Sequence, residues 1–301
     1  MTYSDGCFTN QENKPCVIAL HCSLGSGRQW TRLTEALGGG YRVMAPDLSG
    51  YGRGVPRPYL PVTLADEVAL LAGQLEGATG PIHLVGHSYG GAVALKMATS
   101  APWANRIRSL TLIEPVLPTL LRDNAADRRL HDVFAELGRR VNVDLWNGMY
   151  MEALDRFLTF WNGSAPPEQP PVELRLRMIE QIEKVAFDFL AILAEDNVAT
   201  SAAMLRVPTL LVSGGLSPYM TQRVVARLAA IIPGAETKHL PGAGHMLPIT
   251  HAKHINPDIV GHIELAEEFA RVLLAGSEAT RGWMRERQRQ VQGDRVQLRI
   301  L

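Results

Sequence analysis

The sequence predicts an α/β fold: a mostly parallel central sheet flanked by helices, with a helical cap insertion. Three observations predict it. Short apolar runs alternate with longer helical patterns, each run is closed by glycine, proline or a polar residue, and residues 117–205 contain helical patterns but no strand-like run. The apolar runs are Cys16–Leu20, Arg42–Ala45, Ile82–Val85, Leu110–Ile113 and Thr209–Val212, with a shorter candidate at Thr237–Leu240. Such near-continuous apolar strands suit a parallel sheet covered on both faces. Between them, Leu64, Val68, Leu71 and Leu75 recur at helical spacing, as do Val224, Val225, Leu228 and Ile232. Tyr89–Ala98 follows a strand directly, and Ile259–Leu274 carries Ile263, Leu265, Phe269, Val272 and Leu273. Strand and helix in alternation imply crossover connections and hence parallel strands.

The interruption sets the domain organisation. Residues 1–116 and 206–276 read as the first and second parts of one core domain, and 117–205 as a helical cap set on top of the sheet. Pro166-Pro167 and Pro170-Pro171 punctuate the cap, and the Arg- and Gln-rich residues 277–301 read as a polar, solvated tail.

Composition narrows the function classes. The chain has 301 residues, of which 46% are hydrophobic, enough for a sizeable core. Thirty basic residues balance thirty acidic ones, so no global field recruits nucleic acid or an anionic membrane. Three cysteines, Cys7, Cys16 and Cys22, have no CxxC spacing and argue against a disulfide framework. The first residues are polar and lack a signal-peptide pattern, and no apolar run is long enough to span a bilayer. The expectation is a cytoplasmic monomer or homodimer acting on a small molecule.

The chemistry-bearing motif is Gly86-His87-Ser88-Tyr89-Gly90-Gly91, which matches G-x-S-x-G between a strand and a helix. A turn that sharp needs small neighbours around the serine, and it lifts the hydroxyl to the N-terminus of the following helix. With that motif the chain resembles the α/β-hydrolase family over residues 15–275. The resemblance implies Ser88 as nucleophile and His245, in Gly242-Ala243-Gly244-His245, as base. It implies an oxyanion hole built from the backbone N–H groups of Ser23, in the loop 21–27, and Tyr89, with Leu24 as the off-by-one alternative. Cys22 stands where the family usually has glycine and reads as a packed thiol, and His21 as a tie within the loop. Asp47, in Asp47-Leu48-Ser49-Gly50-Tyr51-Gly52-Arg53, is expected to bond backbone N–H groups. His83 and His239 read as satisfied histidines, and no carboxylate or cysteine pattern joins His251 and His254 to His245 as a metal site. Neither metal nor organic cofactor is implied.

The acid departs from the family pattern. The turn that usually carries aspartate reads Val212-Ser213-Gly214-Gly215-Leu216-Ser217, with Ser217 at the expected position. The end of the preceding strand offers Glu114 instead, in the order Ser, acid, His. Another acid, or a Ser-His dyad, stays open. In the insertion Trp146, Tyr150, Phe157, Trp161, Phe187 and Phe189 suggest, together with Leu24, an apolar pocket. Hydrolysis of an ester, lactone or C–C bond fits this arrangement. A non-hydrolytic ligand sensor on the same fold, or a Ser-His lyase like the cyanohydrin-cleaving relatives, remains as an alternative.

Overall fold

The computed structural model describes residues 14–52, 56–58, 60–163 and 170–276. Cys7, Pro166-Pro167 and the expected tail lie outside them. β1 (Cys16–Leu20), β2 (Arg42–Met44), β3 (Ile82–His87), β4 (Ile107–Ile113), β5 (Thr209–Gly214) and β6 (Glu236–Leu240) form one sheet in the order β2-β1-β3-β4-β5-β6. Every neighbouring pair is parallel. β4 starts before the expected Leu110 because polar Arg108 and Ser109 interrupt the apolar run, yet Ser109 is buried and its Oγ bonds His83 Nδ1 at 2.8 Å.

The core has two layers. In β1, Cys16, Ile18 and Leu20 join one layer while Val17 and Ala19 join the other, as the two-residue period of a strand requires. Helices α1 (Thr31–Leu37), α2 (Leu64–Gln74) and α3 (Tyr89–Ala98) follow β1, β2 and β3 in sequence. α2 opens on a capping box: Thr63 Oγ1 accepts the Asp66 N–H at 3.1 Å, and the Asp66 carboxylate accepts the Thr63 N–H at 2.9 Å.

Between β4 and β5 run α4 (Thr119–Arg122), α5 (Arg128–Trp146), α6 (Tyr150–Asn162), α7 (Val172–Leu193) and α8 (Val198–Ala203). They are followed by α9 (Tyr219–Ile231), α10 (Leu247–Thr250) and α11 (Ala252–Leu274). α11 starts earlier than the expected Ile259, because Ala252 and Ile255 extend the buried stripe of Ile259 and Ile263. No helix among the described residues is long and apolar enough to cross a membrane.

The inserted helices meet through aromatic side chains. Phe134 of α5 lies 4.9 Å from Phe189 of α7 and 5.7 Å from Phe160 of α6, ring centre to ring centre. Gly138 makes the α5–α7 approach possible: a Cβ there would stand 2.8 Å from the Phe189 ring. Gly138→Val should therefore lower stability by about 1–3 kcal/mol, read by urea denaturation, because the added carbons force Phe189 off its packed position.

Candidate active site

The elbow after β3 is a strained, tightly packed turn. Ser88 has φ 57° and ψ −120°, a conformation that costs a non-glycine residue about 1–3 kcal/mol and persists only where surroundings impose it. Close packing imposes it here: a Cβ on Gly90 would stand 2.3 Å from His21 O, and one on Gly86 2.5 Å from Gly90 O. Leu24 (φ 58°) and Glu114 (φ 44°) also have positive φ, so the site collects most of the backbone strain among the described residues.

Sheet register brings the chemistry together. His87 pairs with Ile113 and Ile113 with Val212, so Ser88 and Glu114 leave the sheet side by side. The Ser88 N–H donates to Ile113 O at 3.0 Å, and the Glu114 N–H to Val212 O at 3.0 Å. His245, in the turn after β6, places Nε2 2.9 Å from Ser88 Oγ and Nδ1 2.6 Å from Glu114 Oε2. All three side chains are buried. The Nδ1–H donates to the carboxylate, which leaves Nε2 free to accept the Ser88 proton. Glu114 Oε1 accepts the Gly214 N–H at 2.7 Å. Ser217, at the position expected for the acid, is buried with its Oγ unpartnered.

The loop after β1 is fixed by two neutral histidines. His21 donates from Nδ1 to Cys22 O at 2.7 Å and accepts the Leu48 N–H at Nε2, 2.9 Å. Burial pushes its pKa down to about 4. His87 Nδ1 accepts from Gln29 Nε2 at 3.1 Å, and its Nε2–H donates to His245 O at 2.9 Å. Burial, then the adjacent His245 imidazole, holds His87 well below the usual histidine range. Gln29 Oε1 accepts the Cys22 N–H at 3.3 Å and its thiol at 3.2 Å. Burial pushes that thiol up to about 12, so it is packed rather than nucleophilic. Asp47 accepts the Gly27 N–H at 2.7 Å, the structural role expected of it. Ser23 and Tyr89 line the same space as Ser88.

Comparison with known proteins agrees with this architecture. The alpha/beta hydrolase family matches residues 17–254, most of the chain. The chain belongs to that family. It is 24% identical over 246 residues to the pimeloyl-[acyl-carrier protein] methyl ester esterase of Stenotrophomonas maltophilia, covering 80% of this chain and 90% of the esterase. It also matches polyketide synthase ThaQ of Burkholderia thailandensis, 26% identical over 274 residues, and there it spans 87% of this chain but only 12% of that protein. Among solved structures, the enol-lactonase of Burkholderia xenovorans LB400 superposes with TM-score 0.65 at 21% identity, covering 84% of this chain and 92% of that one.

In this hydrolase the space above Ser88 is walled by Val116 and by Phe134, Phe157, Trp161, Val185, Phe189 and Ile192 of the inserted helices, with Ser23 and Asp188 on the polar side. It is nearly filled, leaving about 10 Å³, close to the room one water needs. The Trp161 ring stacks on His245, centroids 4.2 Å apart and 20° from parallel. Phe157, Trp161 and Phe189 line this space, but four other residues expected there do not: Phe187, whose ring lies under the Arg57 guanidinium, and Trp146, Tyr150 and Leu24. Trp146 is 92% exposed: the buried face of α5 runs through Phe134, Leu137, Val141 and Asp144, and two residues further on a helix faces about 200° away. Tyr150 stands at the surface with its hydroxyl 3.3 Å from Glu183. Leu24 is buried in the core beneath the loop rather than on the cavity wall.

The sequence reading missed a buried charged cluster on the polar side. Lys184 bonds both Asp188 and Glu67, the latter at 3.2 Å. Asp188 Oδ2 accepts from Ser23 Oγ and Tyr51 Oη, both at 2.5 Å, and Glu67 Oε2 accepts from Tyr89 Oη at 3.2 Å and Ser49 Oγ at 2.8 Å. Burial raises the Asp188 carboxyl, and the lysine partly offsets it. The signal was present: Lys184 and Asp188 are four residues apart inside the apolar stripe Ile182, Val185, Phe189 and Ile192. No group of three or more His, Cys, Asp or Glu side chains able to hold a metal occurs among the described residues.

The neutral histidines make stability depend on pH. His21 has a folded value of about 4 against an ordinary 6.5, and His87 is shifted the same way. The unfolded chain therefore binds more protons below pH 6.5, and stability falls as pH drops from there towards 4. His21 alone should contribute a loss of about 3 kcal/mol over that window. Urea denaturation at pH 7 and pH 5 should show the decline, and His87→Gln should flatten it.

Proposed function

We propose that this protein is a serine hydrolase that cleaves an ester-type bond next to a small, apolar acyl group. One observation carries the reading: Ser88 Oγ lies 2.9 Å from His245 Nε2, while Glu114 holds Nδ1 at 2.6 Å. His245 takes the Ser88 proton as the oxygen attacks the carbonyl carbon. The tetrahedral oxyanion rests against the N–H groups of Ser23 and Tyr89, at the positive end of α3. The bond to the leaving group breaks as His245 returns the proton, and water then releases the acyl group by the same steps in reverse roles. Glu114 orients the imidazole and stabilises its positive form.

The inserted helices act as the cap over this site. Their aromatic side chains supply an apolar wall without lysine or arginine, which favours an uncharged acyl chain. The narrow space favours a short one. The methyl ester esterase among the relatives supports ester chemistry.

A fluorophosphonate probe should label the protein and not Ser88→Ala, whose kcat should fall on the order of 10⁵-fold or more. Glu114→Gln should lower kcat by on the order of 10⁴-fold with little change in fold, since it spoils the proton arrangement at Nδ1. Equal labelling of Ser88→Ala would sink the reading, and labelling without turnover of any ester would favour a ligand sensor on the same fold. Across p-nitrophenyl esters, kcat/KM for butyrate should exceed that for decanoate by about tenfold or more, because seating the longer chain requires a larger displacement of the packed walls.

A further inference from the structure

Ser23 and Tyr89 sit on separate segments, one in the loop after β1 and one at the start of α3. Nothing covalent sets the spacing of their N–H groups. Each sends its side-chain hydroxyl to a buried carboxylate: Ser23 Oγ to Asp188 at 2.5 Å, Tyr89 Oη to Glu67 at 3.2 Å. Both carboxylates bond the Lys184 ammonium, which also stands 4.8 Å from the Tyr89 ring centre and 5.3 Å from that of Tyr51. Glu67 belongs to α2 in the core, whereas Lys184 and Asp188 belong to α7 in the insertion. Glu67, Lys184 and Asp188 are at most 2% exposed. Three buried charges stabilise a fold no better than apolar side chains of the same volume, so packing alone does not account for them.

We propose that Asp188 and Glu67, joined through Lys184, are positioning residues that hold the two oxyanion-binding N–H groups in register, so that the oxyanion hole is complete only while α7 is seated on the core. This rests on the hydrolase reading of Ser88 and His245. The cavity over Ser88 leaves about 10 Å³, so a substrate larger than a water enters only when its walls move. Displacing α7 removes the Ser23 anchor, and reseating it restores the hole around the bound carbonyl. The turn at Ser23-Leu24 needs such an anchor, because Leu24 holds φ 58°, a conformation that relaxes when its surroundings loosen.

The test uses the full chain and four variants. Ser23→Ala removes only a half-buried hydroxyl and keeps the backbone donor, and Tyr89→Phe does the same at the second site. Ser23→Thr restores a hydroxyl, and Asp188→Asn breaks the link to Lys184. With p-nitrophenyl butyrate, Ser23→Ala and Tyr89→Phe should each lower kcat about tenfold, and Asp188→Asn about a hundredfold, with KM within about twofold. Affinity for an alkyl trifluoromethyl ketone, which forms an oxyanion adduct with the serine, should fall by the same factors. Ser23→Thr should recover most of the loss. Hydrogen exchange of peptides spanning residues 21–27 should rise in Asp188→Asn and Ser23→Ala, a readout independent of turnover. Unchanged kcat, ketone affinity and exchange in Ser23→Ala and Tyr89→Phe overturn the proposal even if Asp188→Asn fails to fold. If the parent protein neither labels nor hydrolyses esters, the hydrolase reading fails by itself, and the exchange data alone decide whether the clamp holds the loop.

Discussion

Glu114 joins three segments with one buried carboxylate. Its backbone N–H closes onto β5, one oxygen takes the Gly214 N–H, and the other takes His245 Nδ1. The loop after β5 and the turn after β6 are therefore referenced to the end of β4, where Ser88 already hangs on Ile113 O. A buried carboxylate without such donors would be costly. Parallel register decides the rest. Because β3 and β4 end level, the serine and the acid emerge as neighbours, and the histidine only needs to descend from β6 to bridge them.

The strain at Leu24, Ser88 and Glu114 has a common origin. Ser88 and Glu114 are each the first residue past the carboxyl end of a buried parallel strand and Leu24 lies in the loop that leaves another, where the chain must turn sharply to present a group to the crevice. The sheet is covered on both faces by apolar layers, and that rigidity over-determines the ends of its strands. Glycine is demanded nearby for a different reason: at Gly86 and Gly90 other backbone occupies the space a Cβ would fill. Burial of the sheet thus supplies the energy that holds the elbow in shape.

Two neutral imidazoles extend this control outward from Ser88, Glu114 and His245. His87 passes a chain of hydrogen bonds from Gln29 to His245 O, and Gln29 in turn holds the Cys22 N–H and thiol. The loop after β1 and the turn that carries His245 are consequently tied through one side chain of the elbow itself. A histidine held neutral by burial suits this role, since it donates at one nitrogen and accepts at the other.

Sequence by itself determined the sheet and the elbow, and it singled out His245 and Glu114, which the structure brings within hydrogen-bond distance of one another beside Ser88. Apolar runs closed by glycine or proline mark buried strands, G-x-S-x-G between strand and helix has few other uses, and Ser217 at the expected acid position directs attention to Glu114. These are local signals, written in adjacent residues. The pocket was only half legible. Phe157 and Trp161 face Ser88, but Trp146 and Tyr150 do not, because aromatic content says nothing about which side of a helix meets the sheet. The cluster of Glu67, Lys184 and Asp188 escaped for a stronger reason. Glu67 lies 117 residues from Lys184 in sequence, and each charge alone resembles a surface residue. Only tertiary structure decided that they are buried together, because desolvated charges are tolerated where opposite partners arrive from distant elements at the same point.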